Sequence, residues 1–104
     1  MKIKIISTTT DSNKVAKEIA KLLIKEKFSP CVQIIPKVQS FYNWKGELEE
    51  TVEFLLTIKT TFEKINNCMK LILKHHNYAI PEIVMLDAEI LHSEYKEWFN
   101  QNLR

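Results

Sequence analysis

One glycine in 104 residues, Gly46, stands between two runs that alternate like β-strands, and this limits the fold more than any other feature. The runs cover residues 31–44 and 48–60, about 14 residues each, so each strand would span roughly 46 Å. Lys45-Gly46 is the turn, where a two-residue hairpin asks for positive φ. In the first run Val32, Ile34, Val38, Tyr42 and Trp44 are expected on one face, and Cys31, Gln33, Lys37, Gln39 and Asn43 on the other. Pro36 has no N–H to give a ladder and predicts a bulge or an edge position. In the return run Val52, Phe54, Leu56 and Ile58 alternate with Glu53, Thr57 and Lys59, with Leu55 the exception.

Shorter elements flank this hairpin. Residues 2–9 alternate as a first strand. A helix follows over about 12–27, with the stripe Val15, Ile19, Leu22 and Leu23, and Ser29-Pro30 ends it. Thr60-Thr61-Phe62-Glu63 resembles a capping box before a helix over about 61–76, with the stripe Phe62, Ile65, Met69, Ile72 and His76. Tyr78–Pro81 connects to a strand over 82–89, and a short helix over about 93–102 packs Tyr95, Trp98 and Phe99. The order β-α-β-β-α-β plus a last helix predicts one α+β domain over residues 1–104, a ferredoxin-like antiparallel sheet with two helices on one face. Helices of about 15 residues reach only roughly 22 Å, so the hairpin outruns them. The overhang carries Phe41, Tyr42, Trp44 and Val52, and a closed homo-oligomer would cover it.

Charge is uneven rather than large. Residues 1–45 hold nine Lys and three acids; residues 46–104 hold five Lys, one Arg and ten acids, leaving a net charge of +2. Nothing here demands nucleic acid, and the strand over 52–59 lacks the basic, glycine-bearing aromatic pattern by which this fold stacks RNA bases. The one arginine, Arg104, is the last residue, which argues against an acylphosphatase-like phosphate site. No run approaches ~20 apolar residues, so no membrane helix is expected. The start of the chain alternates like a strand rather than a signal peptide. Cys31 and Cys68 make no disulfide framework, and a reducing, cytoplasmic compartment is expected.

The residues able to carry chemistry are few. His75-His76 could ligate a metal through neutral imidazole, although adjacent histidines on a helix point about 100° apart and need a third ligand. Equally, His76 could complete the apolar stripe and His75 cap the helix through its dipole. Cys31 could be a ligand or nucleophile, whereas Cys68, beside Met69, reads as a packed thiol. Glu47, Glu49, Glu50 and Glu53 read as a solvated turn, or else as a hard-cation site or the rim of a cleft between copies.

Five strings in order along nearly the whole chain carry a resemblance. They are Cys31-Val32-Gln33-Ile34-Ile35-Pro36, Tyr42-Asn43-Trp44-Lys45-Gly46, Glu53 through Thr60, His76 through Ile83, and Tyr95-Lys96-Glu97-Trp98. Together they resemble the CutA divalent-cation tolerance family. The resemblance implies a tight homotrimer similar to the PII signalling trimers, with hairpins paired between subunits. It implies tolerance to copper and other divalent ions, with no accepted catalytic reaction and hence no enzyme. It assigns metal ligation to His75 and His76, with Cys31 retained at the start of the second strand; a further family cysteine falls on Ser7. The His-Pro-Tyr pattern reads His76-Asn77-Tyr78. Clefts between subunits would hold Tyr42, Trp44, Lys45, Lys59, Tyr78, Glu82 and Trp98. The alternative is a PII-like trimer that binds a small molecule or a partner protein at those clefts, metal being incidental.

Overall fold

A computed structural model describes residues 1–103; Arg104 lies outside the described residues. The elements run β1 (Lys2–Thr10), α1 (Asn13–Lys25), β2 (Cys31–Trp44), β3 (Glu47–Thr60), a single 3₁₀ turn (Phe62–Lys64), α2 (Ile65–His75), β4 (Val84–Glu89) and α3 (Ser93–Gln101). The four strands form one antiparallel sheet in the order β2-β3-β1-β4. This is the ferredoxin-like arrangement expected, with α1 and α2 packed side by side on one face.

The core lies between that face and the helices. Ile6, Leu56 and Ile58 from the strands meet Ala16, Ile19 and Leu23 of α1 and Cys68 and Ile72 of α2, all fully buried. Truncating one of the large aliphatics, such as Leu23, would cost about 2–5 kcal/mol. The expected α1 stripe is turned slightly: Ala16 reaches the core and Leu22 stays half-buried. The α2 stripe is corrected more strongly. Phe62 and Met69 are exposed and Cys68 takes the inner position. His76 leaves the stripe altogether, because it is the extended residue that ends α2.

The capping box does not form. Thr61 precedes a 3₁₀ turn without a side-chain cap, and the Thr60 hydroxyl donates instead to the carbonyl of Phe28 at 2.6 Å. By contrast α1 is capped as expected, Ser12 Oγ accepting from the N–H of Val15 at 3.2 Å.

The hairpin carries the main correction. Ile35 pairs with Leu55, yet Val38 pairs with Glu53, so β2 holds one extra residue at Pro36-Lys37. Proline offers no N–H and Lys37 takes φ 61, which together make a bulge. The extra residue reverses the alternation. Val32 and Ile34 stay with Ile58 and Leu56 on the helix face, whereas Val38, Tyr42 and Trp44 join Glu53, Glu49 and Glu47 on the open face. At the tip Lys45 and Gly46 take φ 52 and 81, the pair of positive values a type I′ turn needs. The strands outrun α1 and α2, which reach roughly 20 and 17 Å. The molecule is therefore elongated, 46 × 24 × 21 Å, and Phe41, Leu48 and Val52 stand well exposed on the overhang.

Candidate functional site

The chain between α2 and β4 passes around the end of β1 and builds a site on the way. His76, at the end of α2, brings Nε2 to 2.9 Å from the carbonyl oxygen of Thr9, and its Nδ1 lies 3.0 Å from the N–H of Tyr78. A carbonyl only accepts and an N–H only donates, so the ring is the neutral Nε2–H tautomer with no free lone pair. Asn77 follows directly. Its amide nitrogen donates to Asp11 at 2.8 Å, and its oxygen accepts from the Thr10 hydroxyl at 2.6 Å. Tyr78 then reaches past the end of β1 and donates its hydroxyl to Glu53 Oε2 at 2.6 Å. Burial, followed by the Glu53 carboxylate, pushes the Tyr78 phenol well above its ordinary range, so it stays a donor.

Of the two readings open for Glu53, the solvated turn is corrected: Glu53 is only 3 % exposed and lines a cleft. The signal was its position, inside the aliphatic run Val52–Ile58 rather than at the turn. With Thr9, Tyr42, Trp44, Tyr78 and Glu82 it lines a groove of about 710 Å³ at the base of the overhang. The lining also includes Glu49, and it contains no lysine and no arginine.

The structure thus brings four of the expected cleft residues together: Tyr42, Trp44, Tyr78 and Glu82. Lys45 stays near, its ammonium 5.8 Å from the Trp44 ring centre. Lys59 lies six residues along β3 from Glu53, roughly 20 Å away, and donates to Gln33 at 3.2 Å. Trp98 is on α3, packed on Tyr95 at 5.3 Å.

The three expected metal ligands are spread out. His75 Nδ1 meets Glu18 of α1 at 3.1 Å. Cys31 pairs with Lys59 and so sits level with Ile5, four residues along β1 from the Thr9 that holds His76, or roughly 14 Å. It faces Tyr95 of α3, whose hydroxyl is raised above its usual range first by burial and then by that thiol. Ser7 lies in mid-strand on β1, between Thr57 and Val84. Among the described residues no three His, Cys, Asp or Glu side chains gather as a metal would need. Cys68 is the packed thiol the sequence suggested, and burial raises it from 9.0 to about 11.

Comparison with known proteins covers nearly the whole chain. A family model described as CutA1 divalent ion tolerance protein matches residues 4–102. The divalent-cation tolerance protein CutA of Thermus thermophilus is 38% identical over 102 residues, which cover 95% of this chain and 96% of that protein. A CutA homolog of Xenopus laevis is also 38% identical, over 86% of this chain, but the match spans only 60% of that longer protein. The solved structure of the periplasmic divalent cation tolerance protein CutA from Archaeoglobus fulgidus superposes over the full length of both chains, with a TM-score of 0.92 and 31% identity.

Proposed function

This chain belongs to the CutA1 divalent ion tolerance family, and from that premise we propose that it serves the cell's response to divalent metal ions, copper foremost, as a cytoplasmic homotrimer that binds metal and catalyses no reaction of its own. The observation that carries the reading is the overhanging hairpin. Phe41, Leu48 and Val52 are 59%, 79% and 61% exposed on a 12.3 kDa subunit, and β2 and β4 are both open edges. A lone subunit would leave that apolar surface and those edges wet; a closed ring of copies covers both. Two free thiols and no disulfide support a reducing compartment.

Within that assembly the copper ligand is His75. Its Nδ1 contacts the Glu18 carboxylate, and its Nε2 takes no hydrogen bond among the described residues. His76 is committed on both sides, so a chelate by the adjacent pair would first give up Thr9 and Tyr78. One imidazole beside one carboxylate makes a weak, exchangeable site, as suits a chain with Ser7 on β1 and Cys31 at the far end of the sheet. Calorimetric titration with Cu(II) and Zn(II) tests this. Saturable copper binding lost in His75→Ala and kept in His76→Ala is the expected result. Equal, non-stoichiometric heats from all three proteins would contradict it.

The meeting of Tyr42, Trp44, Tyr78 and Glu82 in one groove favours a second reading, in which a small molecule or a partner protein binds there. On that reading Trp44→Ala changes ligand binding and leaves copper uptake alone.

A further inference from the structure

We infer that the outer face of the helical layer docks this protein on a membrane surface rich in anionic lipid. The central observation is a separation of charge that the composition hides. Helices α1 and α2 carry six lysines, Lys14, Lys17, Lys21, Lys25, Lys70 and Lys74, and one acid, Glu18, a charge of +5. The whole chain is only +2, so everything outside these two helices amounts to −3. All six lysines are exposed, and none forms an ion pair among the described residues. Glu18, the one acid of the layer, is itself held by His75.

Spacing gathers these charges on one side. On α1 the lysines stand three, four and four residues apart, away from the buried Ala16, Ile19 and Leu23, and Lys70 and Lys74 repeat the step on α2. The helices lie side by side, roughly 20 and 17 Å long and about 10 Å between axes, so the ammonium groups spread over one broad face. The assembly proposed above covers the hairpins and the strand edges, which are other surfaces. Two such layers repel each other, so like charge keeps this face outward in a ring of copies.

What accompanies the lysines selects the partner. An ammonium is a point charge on a flexible stem, and the two helices hold no arginine fork, so they answer a sheet of spread charge rather than a single phosphate. Two helices lying flat side by side do not enter a DNA groove, and neither contains a Phe, Tyr or Trp on which an unpaired base could stack. Ile24 and Leu73, 43% and 52% exposed, stand on these helices beside the lysines. A phosphodiester backbone would leave them wet, whereas lysine stems with apolar side chains between them suit the boundary of headgroups and acyl chains. Six lysines also fall within the cluster of about four to eight that an anionic leaflet attracts.

The test is co-sedimentation of the whole protein with vesicles of one part phosphatidylserine to two parts phosphatidylcholine, against pure phosphatidylcholine, at low and at high salt. Lys17→Gln/Lys21→Gln and Lys70→Gln/Lys74→Gln thin the layer on each helix, and glutamine keeps helix propensity, so both variants fold. Lys45→Asn/Lys96→Gln removes the same charge from exposed positions at the hairpin tip and on α3. Wild type should sediment with the anionic vesicles at low salt, stay free of the neutral ones, and be released by high salt. Each lysine lost should weaken binding about fivefold, so either helix pair should cost at least about tenfold. The control pair should change binding by less than about twofold, since its charges lie beyond the contact. The inference is overturned if wild type ignores the anionic vesicles, if neutral vesicles bind as well, or if the control pair costs as much as the helix pairs. A DNA duplex that binds more tightly than the vesicles, at equal phosphate concentration, would also overturn it and assign the face to nucleic acid. Subunit mass is measured on every sample, so a failure of the assembly proposed above is seen separately.

Discussion

His75 and His76 are neighbours in sequence with opposite duties, and single substitutions should separate them. His76→Ala removes the partner of Thr9 and of Tyr78 at once, in a partly buried place, and should cost about 1–3 kcal/mol in urea unfolding. His75→Ala loses one half-exposed contact to Glu18 and should cost less than about 1 kcal/mol. Equal losses would contradict the tautomer argument. Cys68 gives a pH prediction. Its folded pKa, about 11, lies above the ordinary 9.0, so its contribution to stability is complete below pH 9.0 and drains away as pH rises through about 11. Alkaline unfolding should therefore begin earlier in wild type than in Cys68→Ala, relative to each protein's stability at neutral pH. The sequence pointed to Cys68 as packed from its place beside Met69 on the helix, although Met69 itself is exposed and Cys68 takes the inner position. For Glu53 it held only a hint, its place in the aliphatic run, since burial of one strand acid depends on a tyrosine 25 residues later reaching past the end of β1.

Every main element of this fold was legible from alternation, apolar stripes and turn residues, because each is set by local periodicity. The facing of β2 beyond Pro36 was not. Proline announced a bulge, but whether an extra residue is inserted depends on which β3 residue comes opposite, and that is settled by pairing across the hairpin. Lys37 sits at φ 61 in this bulge, where a side chain is strained and a β-branched one more so. Lys37→Gly should raise stability by about 1 kcal/mol and Lys37→Val should lower it. Thermal melts of the two variants check this, and the reverse order would mean that the bulge is not where the pairing puts it. The 3₁₀ entry to α2 was missed for a related reason. Thr60 had a capping pattern, but its hydroxyl is taken by the Phe28 carbonyl, a contact between segments far apart in sequence.

At the scale of the whole molecule, a hairpin that overruns its helices explains the elongation, the exposed apolar overhang and the groove at its base. The length mismatch was readable before any coordinates, since it follows from rise per residue in strand and helix. The charge of the groove was not, because it depends on the bulge having turned Tyr42 and Trp44 toward Glu49 and Glu53. The central claim is that copies of this chain cover one another's hairpins, and its most direct test is the mass in solution by light scattering at micromolar concentration. Wild type should show three times the 12.3 kDa subunit mass, and Val52→Lys, which sets a charge on the exposed overhang, should shift it toward one. A wild-type mass of a single subunit would contradict the account.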